Sequence, residues 1–555
     1  MNFFTAYKAV GADVHVPIYF IESTAPDNVD DTDELPTGPL PHLQLIPDSD
    51  DAVRQIAAEL SKGEHPNLVV MVHGFNNPRP DVLKTYTAAA AAVNSDRAMR
   101  NRPGLVCLGY RWPSEKMGEP WRGTWDAMPT LPTWILFLGA IMAVLPFLLY
   151  FVAPAGGRWM TDILRYPLDL VGDHVVTMAG LTLAGLVLTA AVLRVMVYFR
   201  DNYRASNYGV PDLIQIIRAI DSAIVEQRRA RGKGEPGSRD VALSFIGHSM
   251  GGFVVTNTIR TLSDVFSSST TTLNAYGAAG PRPGPHLQQI GNVFKLMRFV
   301  LVSPDIPAEA LLSNRGNFLA SALSRFEEAY LFSNEGDEVL RQISTLANYF
   351  VFPTKSRNHG FRLGNVEILS SGFGLIDPAD AGGFLKTLRI GNLTLQQLYD
   401  TLQEAEAHRQ PKHQRPAAAP ISLPEVFTYF DCTDYVDEDE TGNKRPLLTF
   451  AKWQKRYDKS ARLPFYSHLR LLLAYLLPAH RPNVHGGYFE GVLSQRLIYR
   501  LACLGFGDTV KAFGSEPELA KACETTQIRL LLSPCLRVPH AGPAAALLRQ
   551  ASAPE

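Results

Sequence analysis

The residues with the clearest chemical potential lie between positions 240 and 258, in DVALSFIGHSMGGFVVTNT. Gly247, Ser249 and Gly251 match G-x-S-x-G, in which a serine on a sharp strand-to-helix turn holds its Oγ above the end of a sheet. Residues 241–246 predict a buried strand before the motif, and the apolar spacing after it predicts a helix. The start of that helix would bring backbone N–H groups close to a developing negative charge. The sequence therefore predicts a nucleophile at Ser249. The alternative is a glycine-rich turn whose serine has no chemical role.

A serine nucleophile needs a histidine that accepts its proton and a carboxylate that orients the histidine. In the order serine, acid, histidine, His485 follows the last predicted strand and is favoured over His359. Asp337, in Asn-Glu-Gly-Asp directly after a predicted strand at 329–333, is the predicted acid. Alternative acids, each of which could instead be an ordinary turn or cap carboxylate, are Asp305, Asp431 and Asp434.

A second small-residue turn, His-Gly-Phe-Asn-Asn-Pro at 73–78, follows a predicted strand at 67–72. An oxyanion hole of this kind takes one N–H from the residue after the nucleophile and another from an earlier loop. The backbone N–H groups of Met250 and Phe75 are the predicted donors. His73 is interpreted as a structural histidine that supports the loop, because the catalytic histidine comes last in this order.

Alternating strands and helices surround these motifs and predict an α/β fold, specifically an α/β-hydrolase fold with a mostly parallel sheet flanked by helices. Predicted strands are 14–21, 67–72, 105–110, 241–246, 299–303, 329–333 and 426–431. Predicted helices are 51–60, 81–99, 211–226 and 469–477, with another that ends near residue 501.

Two long apolar stretches, 131–152 and 175–193, interrupt this alternation. Each has the roughly 20 residues that a bilayer core requires, and they predict an inserted two-helix transmembrane hairpin. Lys and Arg are more numerous outside the two spans than between them, so the positive-inside rule predicts both large parts of the chain on the cytoplasmic side. The predicted location is the inner, cytoplasmic membrane.

The overall composition excludes several other classes of protein. A net charge of −1 gives no general attraction to nucleic acid, and the basic run at 228–233 lacks the interleaved aromatic residues of a nucleic-acid site. The five cysteines are scattered without C-x-x-C, which indicates reduced thiols and argues against disulfides or zinc. The acidic run at Asp437 has Leu448 where a calcium loop needs Glu. No metal, no cofactor and no secretory signal are predicted.

The predicted organisation has six segments. They are the N-terminal part of the hydrolase domain (1–126), the transmembrane hairpin (127–198), the central part with the nucleophile (199–403), a linker (404–420), the C-terminal part with the histidine (421–505) and a tail (506–555).

Several stretches together resemble a family of largely uncharacterised bacterial α/β-hydrolases. They are VPIYFIEST, VVMVHGFNN, YRWPS, FIGHSMGG, VLVSPDIP, LFSNEGDEVL and HGGYF, spread over residues 14–505. The resemblance implies a triad of Ser249, Asp337 and His485 and hydrolysis of an ester-like acyl bond. The hairpin after YRWPS and the long linker before the last strand depart from the family pattern.

The sequence thus predicts a membrane-anchored serine hydrolase of the esterase or lipase type, with a lipid or other amphiphilic ester as substrate. Two alternatives are a catalytically silent hydrolase-fold scaffold at the membrane and a lipase-type toxin effector. The sequence fixes neither the acyl chain and head group of the substrate nor the oligomeric state.

Overall fold

The structure is a computed structural model. It describes residues 4–11, 14–26, 42–114, 196–232, 240–262, 289–307, 322, 325–345, 362–366, 427–438, 442–450, 463–476 and 482–531. The chain divides into two compact units, residues 1–114 with 201–555 and residues 115–200. Every predicted site residue belongs to the first unit.

A large sheet forms the centre of the first unit. The strands are β1 (Phe4–Ala9), β2 (Ile18–Ser23), β3 (Leu43–Ile46), β4 (Asn67–Val72), β5 (Leu105–Arg111), β6 (Val241–His248), β7 (Gln289–Ile290), β8 (Phe294–Val302), β9 (Glu328–Ser333), β10 (Thr428–Asp431), β11 (Val436–Glu438), β12 (Lys444–Pro446) and β13 (Arg529–Leu531). In the described residues, eleven of them build one sheet in the order β13-β10-β9-β8-β6-β4-β5-β2-β1-β3, with β7 beside β8. Strands β11 and β12 form a separate pair.

The middle of this sheet is parallel from β10 to β2, whereas β1, β3, β7 and β13 pair antiparallel. A parallel strand has both faces covered, so its residues are almost all apolar; all six residues of β4 are buried. The predicted α/β class with a mostly parallel sheet is confirmed. Strands β5 and β6 both run parallel to β4, as the sequence predicts, so their carboxyl ends lie at the same edge of the sheet.

Helices flank the sheet. They are α1 (Ser49–Leu60), α2 (Arg79–Ser95), α3 (Arg97–Arg100), α4 (Val210–Ala230), α5 (Met250–Leu262), α6 (Phe465–Leu476), α7 (Val492–Cys503), α8 (Phe506–Phe513) and α9 (Glu516–Thr525). Helix α4 packs against α1 and α5, and α7 packs against α2, β6 and β8. Buried apolar residues along one side of α4, such as Leu213, Ile217 and Ile224, account for its packing.

Several elements differ from the prediction. The sequence pattern does not reveal the short strands β1 and β3, of which β3 lies at the edge of the sheet and β1 beside it. The strand predicted at 14–21 occupies Ile18–Ser23. The segment 506–555, predicted as a tail, includes α8, α9 and β13, and β13 joins the central sheet beside β10. Four cysteines among the described residues (Cys107, Cys432, Cys503 and Cys523) are buried and form no disulfide.

The membrane prediction concerns a part of the chain that the structure does not describe. Both apolar stretches, 131–152 and 175–193, lie outside the described residues, as does the predicted linker at 404–420. Among the helices that are described, none is long and apolar enough to cross a bilayer.

Candidate active site

Ser249 is the single residue between a strand and a helix. Strand β6 ends at His248 and α5 begins at Met250, and Ser249 has a φ of +53°. A non-glycine residue rarely adopts this left-handed conformation, so the surrounding structure must hold it. The Ser249 N–H donates to Val302 O at 3.0 Å, and the Ser249 carbonyl accepts from the N–H of Asp305 at 3.0 Å. Strand β8 and the turn after it therefore fix the serine in a strained position.

The two glycines of the motif allow this turn. A Cβ on Gly251 would lie 2.2 Å from the carbonyl oxygen of Val72, and one on Gly247 would lie 2.7 Å from the Cα of Gly252. Real Cβ atoms do not approach other atoms so closely, so only glycine lets the helix start against β4. Gly74 is equally constrained, because its Cβ would lie 2.6 Å from the Cβ of Ser249. The loop at 73–78 thus lies directly against the serine.

His485 and Asp337 form a hydrogen-bonded pair. His485 Nδ1 lies 2.7 Å from Asp337 Oδ2, and Asp337 is fully buried. The carboxylate also accepts from Ser303 Oγ at 2.5 Å through Oδ2 and from the N–H of Leu340 at 3.1 Å through Oδ1. Hydrogen bonds to both oxygens hold the carboxylate plane, and through it the imidazole, in one orientation.

The position of the proton on His485 follows from this pair. Because the Asp337 oxygen accepts, Nδ1 of neutral His485 carries the proton and Nε2 carries the lone pair. Within the described residues, His485 Nε2 and Ser249 Oγ are both buried and have no hydrogen-bond partner. Burial of two polar atoms without partners is costly, so each of them calls for an explanation, of which a catalytic role is one.

The charge around His485 favours its protonated form. Burial by itself lowers the pKa of His485, but the charge and hydrogen bond of Asp337, with a further contribution from the charge of Asp305, outweigh it. The pKa of His485 therefore lies above its ordinary value of 6.5. An imidazole in this environment accepts a proton readily and is stabilised as the imidazolium.

His248, the residue before the serine, supports the histidine loop. Its Nε2 lies 3.1 Å from the carbonyl oxygen of His485, which can only accept, so Nε2 is the protonated nitrogen. Burial, and then the charge of His485, lower the pKa of His248 to about 3. His248 is therefore neutral at physiological pH and holds His485 through its backbone.

Asn334 connects the acid turn to the histidine loop. Its Oδ1 accepts from the N–H of Gly336 at 2.9 Å and its backbone carbonyl accepts from the N–H of Asp337 at 3.0 Å. Its Nδ2 donates to the carbonyl of Val484 at 2.8 Å. One buried side chain thus shapes the turn that carries Asp337 and holds the residue next to His485.

The alternative acids have other partners. Asp305 forms an ion pair with Arg362 Nε at 3.1 Å and accepts from Ser344 Oγ at 3.1 Å; burial raises its pKa despite the charge of Arg362. Asp431 forms an ion pair with Arg529, and Asp434 is buried in the turn after β10. The structure brings Asp337 to His485, whereas the alternative histidine, His359, lies outside the described residues.

His73 is enclosed by its own loop and by Trp112. The N–H of Trp112 donates to His73 Nε2 at 3.2 Å, and His73 Nδ1 lies 2.7 Å from the carbonyl of Gly74. The His73 and Trp112 rings stack with centroids 5.1 Å apart. Burial, with the charge of Arg111, lowers the pKa of His73 to about 3. These contacts agree with the interpretation of His73 as a residue that supports the loop.

The two predicted oxyanion donors are placed beside the serine. Met250 is the first residue of α5, and the first N–H groups of a helix have no acceptor within it. Phe75 follows Gly74, which contacts Ser249, and its ring lies 6.4 Å from the ring of His485 in an edge-to-face arrangement. Residues 73–78 are named the oxyanion loop below.

A cavity of about 310 Å³ adjoins the pair. Its described lining includes His248 and Gly486, which are the sequence neighbours of Ser249 and His485, together with the apolar side chains of Ile246, Tyr86 and Phe489. Ser249 and His485 themselves are not among the described residues of this lining. The cavity therefore lies next to Ser249 and His485 and is not lined by either residue.

Sequence reasoning missed Ser303 and Asn334. Both come directly after a parallel strand, β8 and β9 respectively. Polar residues at strand ends are common turn residues, so their type alone does not reveal that one contacts Asp337 and the other Val484. Asn334 is visible in the Asn-Glu-Gly-Asp pattern, whereas the spacing of Ser303 gives no comparable signal.

Comparison of the chain with models of protein families, with curated proteins and with solved structures finds no match.

Proposed function

We propose that this chain is a serine hydrolase with an α/β-hydrolase fold, which cleaves an ester-type acyl bond through Ser249, His485 and Asp337. The observation that carries the proposal is the pair of buried atoms without partners, Ser249 Oγ and His485 Nε2, beside an imidazole that Asp337 holds at Nδ1. A serine oxygen and a basic imidazole nitrogen are the two atoms that the proton transfer requires.

In the proposed reaction, Ser249 Oγ attacks the acyl carbon while His485 Nε2 takes the hydroxyl proton. The carbonyl electrons move to oxygen, and the N–H groups of Met250 and Phe75 donate to that oxyanion. The intermediate collapses, the ester C–O bond breaks, and His485 returns the proton to the leaving alcohol. Water, activated by the same histidine, then releases the acid from Ser249.

The proposed substrate is a lipid or another amphiphilic ester, and the proposed location is the cytoplasmic face of a membrane. Two features of the chain support this. Residues 131–152 and 175–193 have the length and composition of membrane spans, and the chain leads towards them from the carboxyl end of β5, at the sheet edge where β6 leads into Ser249. Ligands of open α/β sheets bind at this edge.

The direct test is labelling of the full-length protein with a fluorophosphonate probe, which reacts with activated serines. We expect wild type to be labelled and folded Ser249→Ala to be unlabelled. Ser333→Ala is the matched control, because Ser333 is also fully buried at a strand end and donates to Gly364 O at 3.1 Å. Folded wild type that stays unlabelled would contradict the proposal and favour the silent scaffold.

The substrate class has its own test. We expect hydrolysis of long-chain esters in vesicles to exceed hydrolysis of short soluble esters. Replacement of residues 131–193 by a Gly/Ser linker should reduce the first activity far more than the second. Equal loss of both would show that the segment does not direct the enzyme to amphiphiles.

A further inference from the structure

The oxyanion loop is fixed at its far end by two residues outside the proposed triad, Ser114 at the end of the YRWPS stretch and Asp201. The N–H of Asn76 donates to Asp201 Oδ2 at 2.9 Å, and the N–H of Asn77 donates to Ser114 Oγ at 3.2 Å. Ser114 Oγ in turn donates to the same Asp201 Oδ2 at 2.9 Å. Ser114 and Asp201, named the clasp here, are both fully buried.

The clasp acts on the peptide groups next to the predicted oxyanion donor. Asn76 has a φ of +57°, a left-handed conformation that Asn tolerates better than most residues but that still needs support. Two successive N–H groups, those of Asn76 and Asn77, point to the clasp and so set the course of the backbone that leaves Phe75. Asp201 therefore holds the peptide group between Phe75 and Asn76, which adjoins the peptide group that carries the Phe75 N–H.

The carboxylate of Asp201 is itself held in place. Arg204, also buried, lies with Nη1 3.8 Å from Asp201 Oδ1, so one oxygen faces a positive charge and the other faces the loop. A buried carboxylate that accepts several hydrogen bonds keeps a defined orientation. Ser114 and Asp201 also mark where the chain leaves the first unit for residues 115–200 and where it returns.

The Arg-Trp-Pro-Ser stretch at 111–114 contacts the oxyanion loop at two points. Trp112 stacks on His73 at the start of the oxyanion loop, and Ser114 holds Asn77 near its end. The two alternate residues of one short segment thus hold the loop from both sides.

We propose that Asp201, acting with Ser114, is a positioning residue for the oxyanion hole: it sets the orientation of the Phe75 N–H from the two chain ends that flank residues 115–200. This inference rests on the proposed function. It assigns to Asp201 a role in stabilising the transition state without contact with substrate.

The test compares Asp201→Ala and Ser114→Ala with wild type in the full-length protein. A trifluoromethyl ketone adds to Ser249 Oγ, and its former carbonyl oxygen becomes an oxyanion while His485 takes the proton, so it reports on the oxyanion hole. We expect both variants to lose kcat/KM on a soluble ester and affinity for the ketone by the same factor, about 10- to 100-fold. The affinity for the corresponding alcohol, which forms no oxyanion, should change less than about 2-fold. Asp201→Asn keeps an acceptor oxygen and should recover most of the loss.

Asp221→Ala is the matched control. Asp221 is a buried carboxylate that also accepts from backbone N–H groups, those of Asn292 and Val293, but it lies at the amino end of β8, roughly 30 Å of strand from the carboxyl end. This variant should lower stability and leave ketone affinity unchanged.

Backbone hydrogen exchange separates failure of the inference from failure of the proposed function. We expect faster exchange of the Asn76 and Asn77 amides in Asp201→Ala and not in Asp221→Ala. If amide exchange is unchanged in Asp201→Ala, or if activity is lost while ketone affinity is unchanged, Asp201 does not position the oxyanion hole. Wild type that the fluorophosphonate does not label would overturn the proposed function itself, and with it the catalytic part of this inference.

Discussion

Two buried aspartates that follow neighbouring parallel strands pair with different kinds of base, one with an arginine and the other with a histidine. Asp305, after β8, pairs with Arg362 at 3.1 Å, and Asp337, after β9, pairs with His485 at 2.7 Å. Both carboxylates are buried. A guanidinium stays protonated at any physiological pH, whereas an imidazole gains and loses its proton near neutrality.

This difference indicates which turn can take part in proton transfer. Arg362 cannot accept a proton, so the Asp305 pair can only hold the turn together. His485 can accept a proton at Nε2 while Asp337 holds Nδ1, so the second pair can carry chemistry. The two turns nevertheless touch the same network, because Ser303, two residues before Asp305, donates to Asp337 at 2.5 Å.

The largest expected effect is on kcat, which should fall far more when Asp337 is replaced than when Asp305 is replaced. Asp337→Asn should reduce kcat by about 10,000-fold, because an amide neither stabilises the imidazolium nor enforces its tautomer. Asp305→Asn should reduce kcat by less than about 10-fold. Steady-state kinetics on a soluble ester, with circular dichroism to show that each variant is folded, measures both. Similar losses in the two variants would remove the distinction.

The sequence predicts where the strands before Ser249 and Asp337 end, but it does not predict the partner of each aspartate. The strands before Ser249 and Asp337 are short β-branched or aromatic runs, so their ends could be placed within two residues. Chain order does not separate Asp337 from Asp305, because both follow a predicted strand and lie between Ser249 and His485. Their partners, His485 and Arg362, lie 148 and 57 positions away, and the packing of distant segments decides which partner each aspartate meets.

The parts of the site that the sequence does not reveal depend on backbone geometry. The positive φ of Asn76 and the clasp at Ser114 and Asp201 arise from the close approach of three separate segments. Hydrogen bonds to backbone N–H groups need no particular partner residue, so no residue pattern records them. The short strands β1 and β3 were also not predicted, because their partly exposed residues leave no clear alternation.

The two aspartate variants should also differ in stability, with the larger loss in Asp305→Asn. Asp305→Asn leaves a buried guanidinium without its carboxylate and should lower the free energy of unfolding by about 3–5 kcal/mol. Asp337→Asn should cost about 1–2 kcal/mol, because His485 can lose its charge. Urea denaturation at pH 8 measures both.

A double variant serves as the control for this second prediction. Asp305→Leu with Arg362→Met removes both charges and should unfold within about 2 kcal/mol of wild type. A double variant less stable than Asp305→Asn would show that Asp305 matters through something other than its charge pair.

The smallest expected effect is a shift in pH dependence. His485 must be neutral to accept the serine proton, so kcat/KM of wild type should rise with pH around a midpoint above 6.5, since the pKa of His485 is raised. In Asp337→Asn only burial and the charge of Asp305 remain to act on His485; burial is the larger of the two, so the midpoint of the residual activity should fall below 6.5. Asp305→Asn removes a lesser contribution and should lower the midpoint less.

Stability should follow the same titration with a definite sign. Because the folded-state pKa of His485 is raised, its pairing with Asp337 stabilises the fold fully below pH 6.5, and this contribution is lost as pH rises through the folded-state pKa. The difference in unfolding free energy between wild type and Asp337→Asn should therefore be larger at pH 6 than at pH 9. Arg362 stays charged across this range, so the deficit of Asp305→Asn should not follow the titration of His485. If Asp337→Asn loses the same unfolding free energy at pH 6 and at pH 9, His485 does not exchange a proton with its surroundings. The two aspartate pairs would then both be structural.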